Sequence, residues 1–311
     1  MPLPEVSVII VNWNTKDLTD IAIASLYQFE KTIALEIILV DNASEDNSVS
    51  FLSEKYPNVR IIENRTNNGF AKANNQGVDS ACGKSILLLN SDTRFHQEVL
   101  PTCLYHLRSS NPCILGCKLL NPDNSPQLSV ENFSYLTDYF LEAFSLEAGI
   151  RKRKLLLQSH LTMEMNPVGW ICGAFLFMER ADYLKLGGLN EKIFMYGEDM
   201  EFCWRAAKAG IPRYFIPSIS IIHLGGGSTH YASMRSLVLT DAGRLRTFAI
   251  MKGMFQSILL RGIFICRSLL RFLIYLPISI FSRNNIWRQK MRNHLMEILI
   301  LSGVANGRNF I

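Results

Sequence analysis

The chain has 311 residues, 48% of them hydrophobic and 19% charged, which is enough for one large α/β domain with an appendage or two smaller domains. This composition excludes a low-complexity or disordered chain. Its seven cysteines are odd in number and scattered, which excludes a secreted disulfide scaffold and fits a reducing compartment. Net charge is +5, but from Met251 onward nine Lys and Arg face a single acid, Glu297, whereas residues 1–250 balance to −3. A basic, apolar tail on a mildly acidic body points to an anionic membrane surface, and no RNA- or DNA-binding motif appears. The first residues, MPLPEVSVII, carry neither a basic n-region nor a small-residue cleavage site, so they do not read as a signal peptide.

In chain order, residues 6–11 (VSVIIV) read as a short strand buried on both faces and ending in Asn12-Trp13-Asn14. A helix is predicted over 17–27. A strand over 35–40 carries Asp41 at its carboxyl end, and a helix over 44–56 follows. Residues 59–62 make a third strand, 69–82 a third helix, and 85–90 (SILLLN) a fourth strand that opens into Ser91-Asp92-Thr93. Strands alternating with helices at this pitch mean βαβ units with right-handed crossovers and a mainly parallel sheet. Cys113 and Cys117 have a metal-like spacing, yet no second Cys/His pair completes a zinc set, so they read as packing residues.

The loop after the first strand, NWNTKD, lacks the glycines of a Rossmann dinucleotide site and the Gly-Lys of a P-loop. It also lacks the glycine-rich basic loop of sugar-phosphate nucleotidyltransferases. In open α/β sheets ligands sit outside the carboxyl ends of the strands, so Asp41 and Asp92 both face the expected crevice. Asp92 suits a hard divalent cation bridging to a phosphate; the structural alternative is a cap on a helix starting near His96. Asp41 suits the ring N–H of a pyrimidine base or a ribose hydroxyl; its alternative is a turn residue ahead of Ser44. Between them Asn67-Asn68-Gly69 opens a helix whose first amides are placed to support a nucleotide, with Asn74 and Asn75 one turn on.

VSVIIVNWN, ILVDNASEDNS, NNGFAKANNQG, LLLNSD and GEDMEFCWRAAKAG, in that order, resemble the family 2 glycosyltransferases of the GT-A fold. Within that family they are most similar to the rhamnosyltransferase-like branch of bacterial surface-polysaccharide and O-antigen assembly. The resemblance covers about residues 5–230. It implies an inverting, metal-dependent transfer of a sugar from a nucleoside-diphosphate donor to a lipid-linked oligosaccharide, with L-rhamnose from dTDP-rhamnose the first donor to consider. It places Asn12, Asp41, Asn68, Gly69, Asn74, Asn90 and Ser91 at the donor nucleotide, and Asp92 with His223 on Mg2+ or Mn2+. Trp170, Gly173, Ala174 and Glu198 fall at the sugar and acceptor, and Asp199 matches the general base. The family's usual Asp-x-Asp is here Asn90-Ser91-Asp92, so one carboxylate is an amide and the metal is expected to be held weakly. Each residue also has a bland reading: a core indole for Trp170, acids favoured in a first helical turn for Glu198 and Asp199, a structural histidine for His223. The glycines 225–227 after His223 suit a mobile loop closing over a pyrophosphate, with His230 a weaker candidate ligand.

Within 1–230, read as the catalytic domain, residues 1–120 form the nucleotide half and 165–230 the acceptor half. Residues 122–165 break the rhythm and read as a lid-like insertion with a basic run, Arg151-Lys152-Arg153-Lys154. That run is either a solvated turn or a contact for a phospholipid or acceptor diphosphate. Residues 167–178 are a strand with a Gly173-Ala174 corner, and short strands over 213–216 and 219–223 precede the glycines. Residues 231–311 are a helical tail. Residues 253–281 are broken by Arg261, Arg267 and Arg271, and Pro277 is expected to kink or end a helix. They therefore read as a helix lying on the cytoplasmic face of the inner membrane, with its arginines snorkelling and a second amphipathic helix near 287–301. The alternative reading of those apolar faces is packing into a helical core or against a second copy of the chain. The competing functions are transfer from another UDP- or GDP-sugar, a catalytically silent sugar-nucleotide-binding subunit, and a processive synthase. The synthase is disfavoured by the lack of several spanning helices.

Overall fold

The computed structural model of the chain describes residues 3–144, 147–225, 234–281 and 285–303. The chain divides into two compact units, residues 1–133 with 152–228 and residues 134–151 with 229–311. Residues 134–151, which the sequence places in the insertion, thus belong with the C-terminal helices.

The first unit begins with β1 (Val6–Asn12), α1 (Lys16–Phe29), β2 (Leu35–Asp41), α2 (Ser48–Lys55), β3 (Arg60–Glu63), α3 (Phe70–Ser80) and β4 (Ser85–Asn90). This is the predicted alternation, shifted by a few residues at some ends. Period-two geometry sends successive side chains to opposite faces. Ile10, Leu39, Leu87 and Leu89 fall in one core cluster, and Ile9, Ile38, Ile86 and Leu88 in the other. Helices cover both faces, which is why these strands read as unbroken apolar runs. On one face α3 lies so close that a Cβ on Gly77 would come within 2.4 Å of the Ile9 side chain.

Next come β5 (Thr93–Arg94), α4 (Leu100–Ser110), β6 (Ile114–Leu120), β7 (Val130–Glu131), α5 (Leu136–Phe144) and α6 (Glu147–Ser159). They are followed by β8 (Asn166–Pro167), β9 (Trp170–Ile171), β10 (Phe175–Glu179), α7 (Arg180–Lys185), α8 (Glu198–Lys208) and β11 (Arg213–His223). The main sheet runs β3-β2-β1-β4-β10-β6-β11-β5, with β8 paired to β11. It is parallel across β3, β2, β1 and β4 and mixed beyond, because β10 runs antiparallel to both β4 and β6. Phe175 pairs with Leu89, so the chain enters β10 at the carboxyl end of β4 and descends. That reversal puts the Gly173-Ala174 corner beside Asn90. The two strands expected over 213–223 are one strand with a register shift between Ile216 and Ser220. Pro217 lies in the gap, where a residue without an N–H cannot extend the ladder.

The helix expected to start near His96 starts instead at Leu100, after β5, so Asp92 is not its cap. The cap comes from across the fold. Buried Glu30 accepts from the Val99 and Leu100 amides at 2.7 and 3.2 Å. Burial pushes its carboxyl up to about 6 against the pull of those two amides.

The second unit packs α5 with α9 (Met234–Lys252), α10 (Met254–Phe281) and α11 (Asn285–Leu301). Tyr139, Leu245, Phe248, Leu260, Phe264 and Leu301 form its core, with the Tyr139 ring meeting Phe248 and Phe264 edge-on at 5.6 and 6.0 Å. Gly253, at φ +93°, makes the joint between α9 and α10. Two points are corrected here. Pro277 does not end the helix, since α10 runs on to Phe281, and Arg267 does not snorkel. Its guanidinium is buried and donates to Asp241 and Glu297. Phe255, Ile258, Leu259, Leu273 and Ile274 on α10 are exposed. By length and composition α10 is also sufficient to cross a membrane.

Candidate active site

At the carboxyl ends of β1 and β2 a buried polar network replaces the hydrophobic core. Asn12 Nδ2 donates to Asp41 Oδ1 at 2.7 Å and to Ser44 Oγ at 3.0 Å. Asn12 Oδ1 accepts from the hydroxyls of Thr15 and Thr19 at 2.7 and 2.8 Å. The second Asp41 oxygen accepts from the Ser44 amide at 2.9 Å, and the Thr15 and Ser91 hydroxyls meet at 3.0 Å. Every polar group of Asn12 has a partner, so the network holds the loops after β1, β2 and β4 in one register. Thr15, Thr19 and Ser44 were missed by sequence reasoning, since a single Ser or Thr in a polar loop or on a helix gives no signal.

β4 opens into Asn90-Ser91-Asp92, and β11 ends beside it in His223. His223 Nε2 lies 3.2 Å from Asp92 Oδ1 and 3.3 Å from Asn90 Nδ2. His223 Nδ1 faces Gln127 Oε1 at 2.9 Å. One carboxylate and one imidazole converging at this distance fit a divalent cation that takes its remaining oxygens from a diphosphate. Among the described residues no group of three or more His, Cys, Asp and Glu gathers. Gln127 was also missed; it lies in a turn-rich stretch where nothing marks it. The segment 226–233, with the end of the proposed mobile loop and His230, lies outside the described residues.

Glu198 and Asp199 open α8 behind Gly197, which is left-handed at φ +103°. Asp199 Oδ2 accepts from the Gly173 amide at 2.8 Å and Oδ1 from its neighbour Met200 at 2.8 Å. A Cβ on Gly173 would stand 3.3 Å from Asp199 Cβ, so the absent side chain lets the carboxylate dock on the corner. Burial raises the Asp199 carboxyl above its ordinary value, opposed by those two amides. Glu198 is buried, Oε2 has no hydrogen-bond partner, and burial followed by the Asp199 charge pushes its carboxyl up to about 8. Asn90 N donates to Ala174 O at 3.2 Å, so one backbone bond and the Gly173 amide's bond to the carboxylate connect the β4 terminus to Asp199. The Cys172 thiol between them is pushed up to about 12 by burial, then by the charges of Asp199, Glu198 and Asp92.

Some predicted residues do not meet this centre through their side chains. Asn74 is fully buried and turns back to donate to Phe70 O at 3.0 Å. Ala174 is buried in the core and contributes only its carbonyl. The first amide of α3 does not await a nucleotide, because Phe70 N donates to Phe194 O at 2.9 Å. Gly69, at φ +82°, is needed for that docking: a Cβ would come 2.7 Å from Phe194 O. Asn68 is half-buried in this loop, within 3.5 Å of the Thr66 hydroxyl. Trp170 packs against the second core cluster with its indole N–H buried and unpartnered. Asn75 anchors the 187–190 loop, donating to Leu189 O at 3.0 Å and accepting from Leu189 N at 2.9 Å. The basic run lies on α6 and is not a turn; there Lys154 pairs with Glu131 at 2.6 Å while Lys152 and Arg153 are exposed. Cys113 and Cys117 are buried and free, as packing residues should be.

The family model described as Glycosyl transferase family 2 matches residues 7–158, and that of Glycosyl transferase family group 2 matches residues 85–282. The chain belongs to the family 2 glycosyltransferases, and its fold is GT-A. It is similar to the N-acetylglucosaminyl-diphospho-decaprenol L-rhamnosyltransferase of Mycobacterium tuberculosis, at 26% identity over 63% of this chain and 68% of that protein. It is also similar to the rhamnosyltransferase WbbL of Escherichia coli K12, at 30% identity over 44% of this chain and 51% of the relative. The fold is shared with a crystal structure of GalNAc-T7 with UDP, GalNAc and Mn2+, at TM-score 0.58 and 16% identity. That match covers 80% of this chain and 48% of the other.

Proposed function

We propose that the chain performs an inverting transfer of a sugar from a nucleoside-diphosphate donor to a lipid-linked oligosaccharide, as in surface-polysaccharide or O-antigen assembly. The observation that carries this reading is the hydrogen-bonded bridge from Asn90 through Ala174 and Gly173 to the Asp199 carboxylate, which sets a diphosphate-side group and a base at the carboxyl end of β4. Asp199 takes the proton of the acceptor hydroxyl at a carboxylate oxygen. The freed oxygen pair bonds to the anomeric carbon as that carbon's bond to the diphosphate breaks, and the nucleoside diphosphate departs. The two amides on Asp199 hold it in place without exhausting its lone pairs. Glu198, protonated at neutral pH, donates to the acceptor from its unpartnered oxygen. Asn12, Asp41 and Ser91 frame the base and ribose. Asp92 and His223 would hold Mg2+ or Mn2+, which offsets the charge developing on the departing diphosphate.

Likeness to the two rhamnosyltransferases makes dTDP-rhamnose the first donor to assay, ahead of UDP- and GDP-sugars. The test is transfer by the purified chain to a lipid diphosphate sugar. Asp199→Asn is expected to lower turnover about 10²–10⁴-fold while donor affinity stays unchanged. Substantial turnover in that variant would remove Asp199 from the role.

We also place the protein at the cytoplasmic face of a membrane, without crossing it. The exposed apolar side chains of α10 and the cationic balance beyond Met251 support this. Binding to anionic vesicles at low salt is expected; a chain that ignores them refutes the placement.

A further inference from the structure

The orientation of His223 follows from one unambiguous contact. A backbone carbonyl can only accept, and the Gln127 side chain meets the His223 carbonyl at 2.6 Å, so the atom there is the Nε2 amino group. The same amino group donates to Asn121 Oδ1 at 2.7 Å, which occupies both of its hydrogens. Gln127 Oε1 is therefore the atom that faces His223 Nδ1 at 2.9 Å, and an amide oxygen can only accept. Nδ1 must carry a hydrogen. In neutral His223 this leaves the lone pair on Nε2, directed at Asp92 Oδ1 across 3.2 Å. Asn90 Nδ2 also lies 3.3 Å from this nitrogen, and the Asp92 carboxylate beside it is complemented either by a second ring proton or by a shared cation.

Gln127 is itself held firmly. Its amide donates to Leu119 O at 2.8 Å, and its carbonyl accepts from the buried Gln158 side chain at 2.9 Å. Gln158 Oε1 in turn accepts from Ser129 N at 2.8 Å. A chain of side chain and backbone thus runs from α6 through Gln127 to the imidazole. Metal-ligating histidines characteristically spend their second nitrogen on such a partner, which fixes tautomer and ring orientation.

We propose that Gln127 is the positioning residue that sets the tautomer and aim of His223, presenting its Nε2 lone pair to a divalent cation shared with Asp92 and the donor diphosphate. The cation part rests on the proposed function; the tautomer part rests on the hydrogen bonds alone. The variants are Gln127→Leu, which removes both contacts, and Gln127→Glu, which keeps an acceptor for Nδ1–H.

Two readouts on the full chain separate the claims. The first is the 15N shift pattern of His223 recorded at about pH 8.5, where an ordinary imidazole is neutral, assigned with His223→Ala. The second is Mn2+ affinity by electron paramagnetic resonance with the nucleoside diphosphate present. The wild type is expected in the Nδ1–H form and Gln127→Leu in a mixture or the Nε2–H form, with Gln127→Glu restored. Mn2+ affinity is expected to fall about 10–100-fold in Gln127→Leu. A wild-type tautomer in Gln127→Leu overturns the inference. If the wild type binds no Mn2+, the cation reading of Asp92 and His223 fails, and the tautomer readout alone decides Gln127.

Discussion

Each unit buries a pair of carboxylates, and the two pairs are treated in opposite ways. In the first unit burial raises both Glu198 and Asp199, the Asp199 charge raises Glu198 further, and only backbone amides oppose the shifts. In the second, Arg267 donates to both Asp241 and Glu297, and His294 Nδ1 lies 3.1 Å from Glu297. Burial there pushes Asp241 up to about 7 despite the arginine. For Glu297 burial acts the same way, but the His294 hydrogen bond and the Arg267 charge outweigh it and hold it at about 2. A neutralised buried pair is a structural bolt, whereas an unneutralised one stores the proton affinity that acid–base chemistry uses.

The comparison is broken most severely by taking out the bolt's cation. Arg267→Met leaves two buried carboxylates facing each other, and a loss of about 3–5 kcal/mol is expected in thermal or denaturant unfolding of the second unit. The two acids of the bolt should then differ. Glu297→Gln removes the charge Arg267 depends on and should cost about 3 kcal/mol. Asp241→Asn resembles a state Asp241 already populates at neutral pH and should cost about 1 kcal/mol. Equal losses for the two would contradict the unequal sharing.

The pH dependence sharpens the same contrast. Glu198 keeps its proton in the folded chain up to about pH 8 but loses it near pH 4.5 when unfolded. The folded state therefore binds more protons across that window. Its contribution to stability is fully present below about pH 4.5 and is lost as the pH rises through about 8. Glu198→Gln should flatten this slope in melting temperatures recorded between these limits, raising stability at the alkaline end. Glu297 has the opposite sign, its contribution being present above about pH 4.5 and lost as the pH falls through about 2. The smallest effect is expected at the corner. Gly173→Ala puts a methyl against Asp199 Cβ, and a shift of a few tenths of an ångström should lower turnover about tenfold with little change in melting temperature. Unchanged turnover would show that the docking of Asp199 on Gly173 has slack.

Much of the first unit was legible because its local signals agree. Continuous apolar runs such as ILLL at 86–89 and helical patterns between them specify buried parallel strands with helices on both faces, and β4 was placed to the residue. Asp92, His223 and Asp199 were legible as candidates because each follows a strand end or opens a helix. Asn74 was misplaced because helical spacing alone does not say which face a neighbour covers. Arg267 was misread for a related reason. In sequence it is one of several cations in an apolar stretch, and its partners Asp241 and Glu297 lie on other helices, 26 and 30 residues away.

The sequence by itself determined the alternating layers, the polar switch at the ends of β1, β2 and β4, and the family. These depend on residue type and on spacing along one element, which the chain carries locally. Only the tertiary structure decided that β10 descends antiparallel beside β4, bringing Gly173 to Asp199, and that Gln127 takes hold of His223. Such pairings join residues 26 and 96 apart, and no periodicity reports them, because they arise only once separate elements have packed.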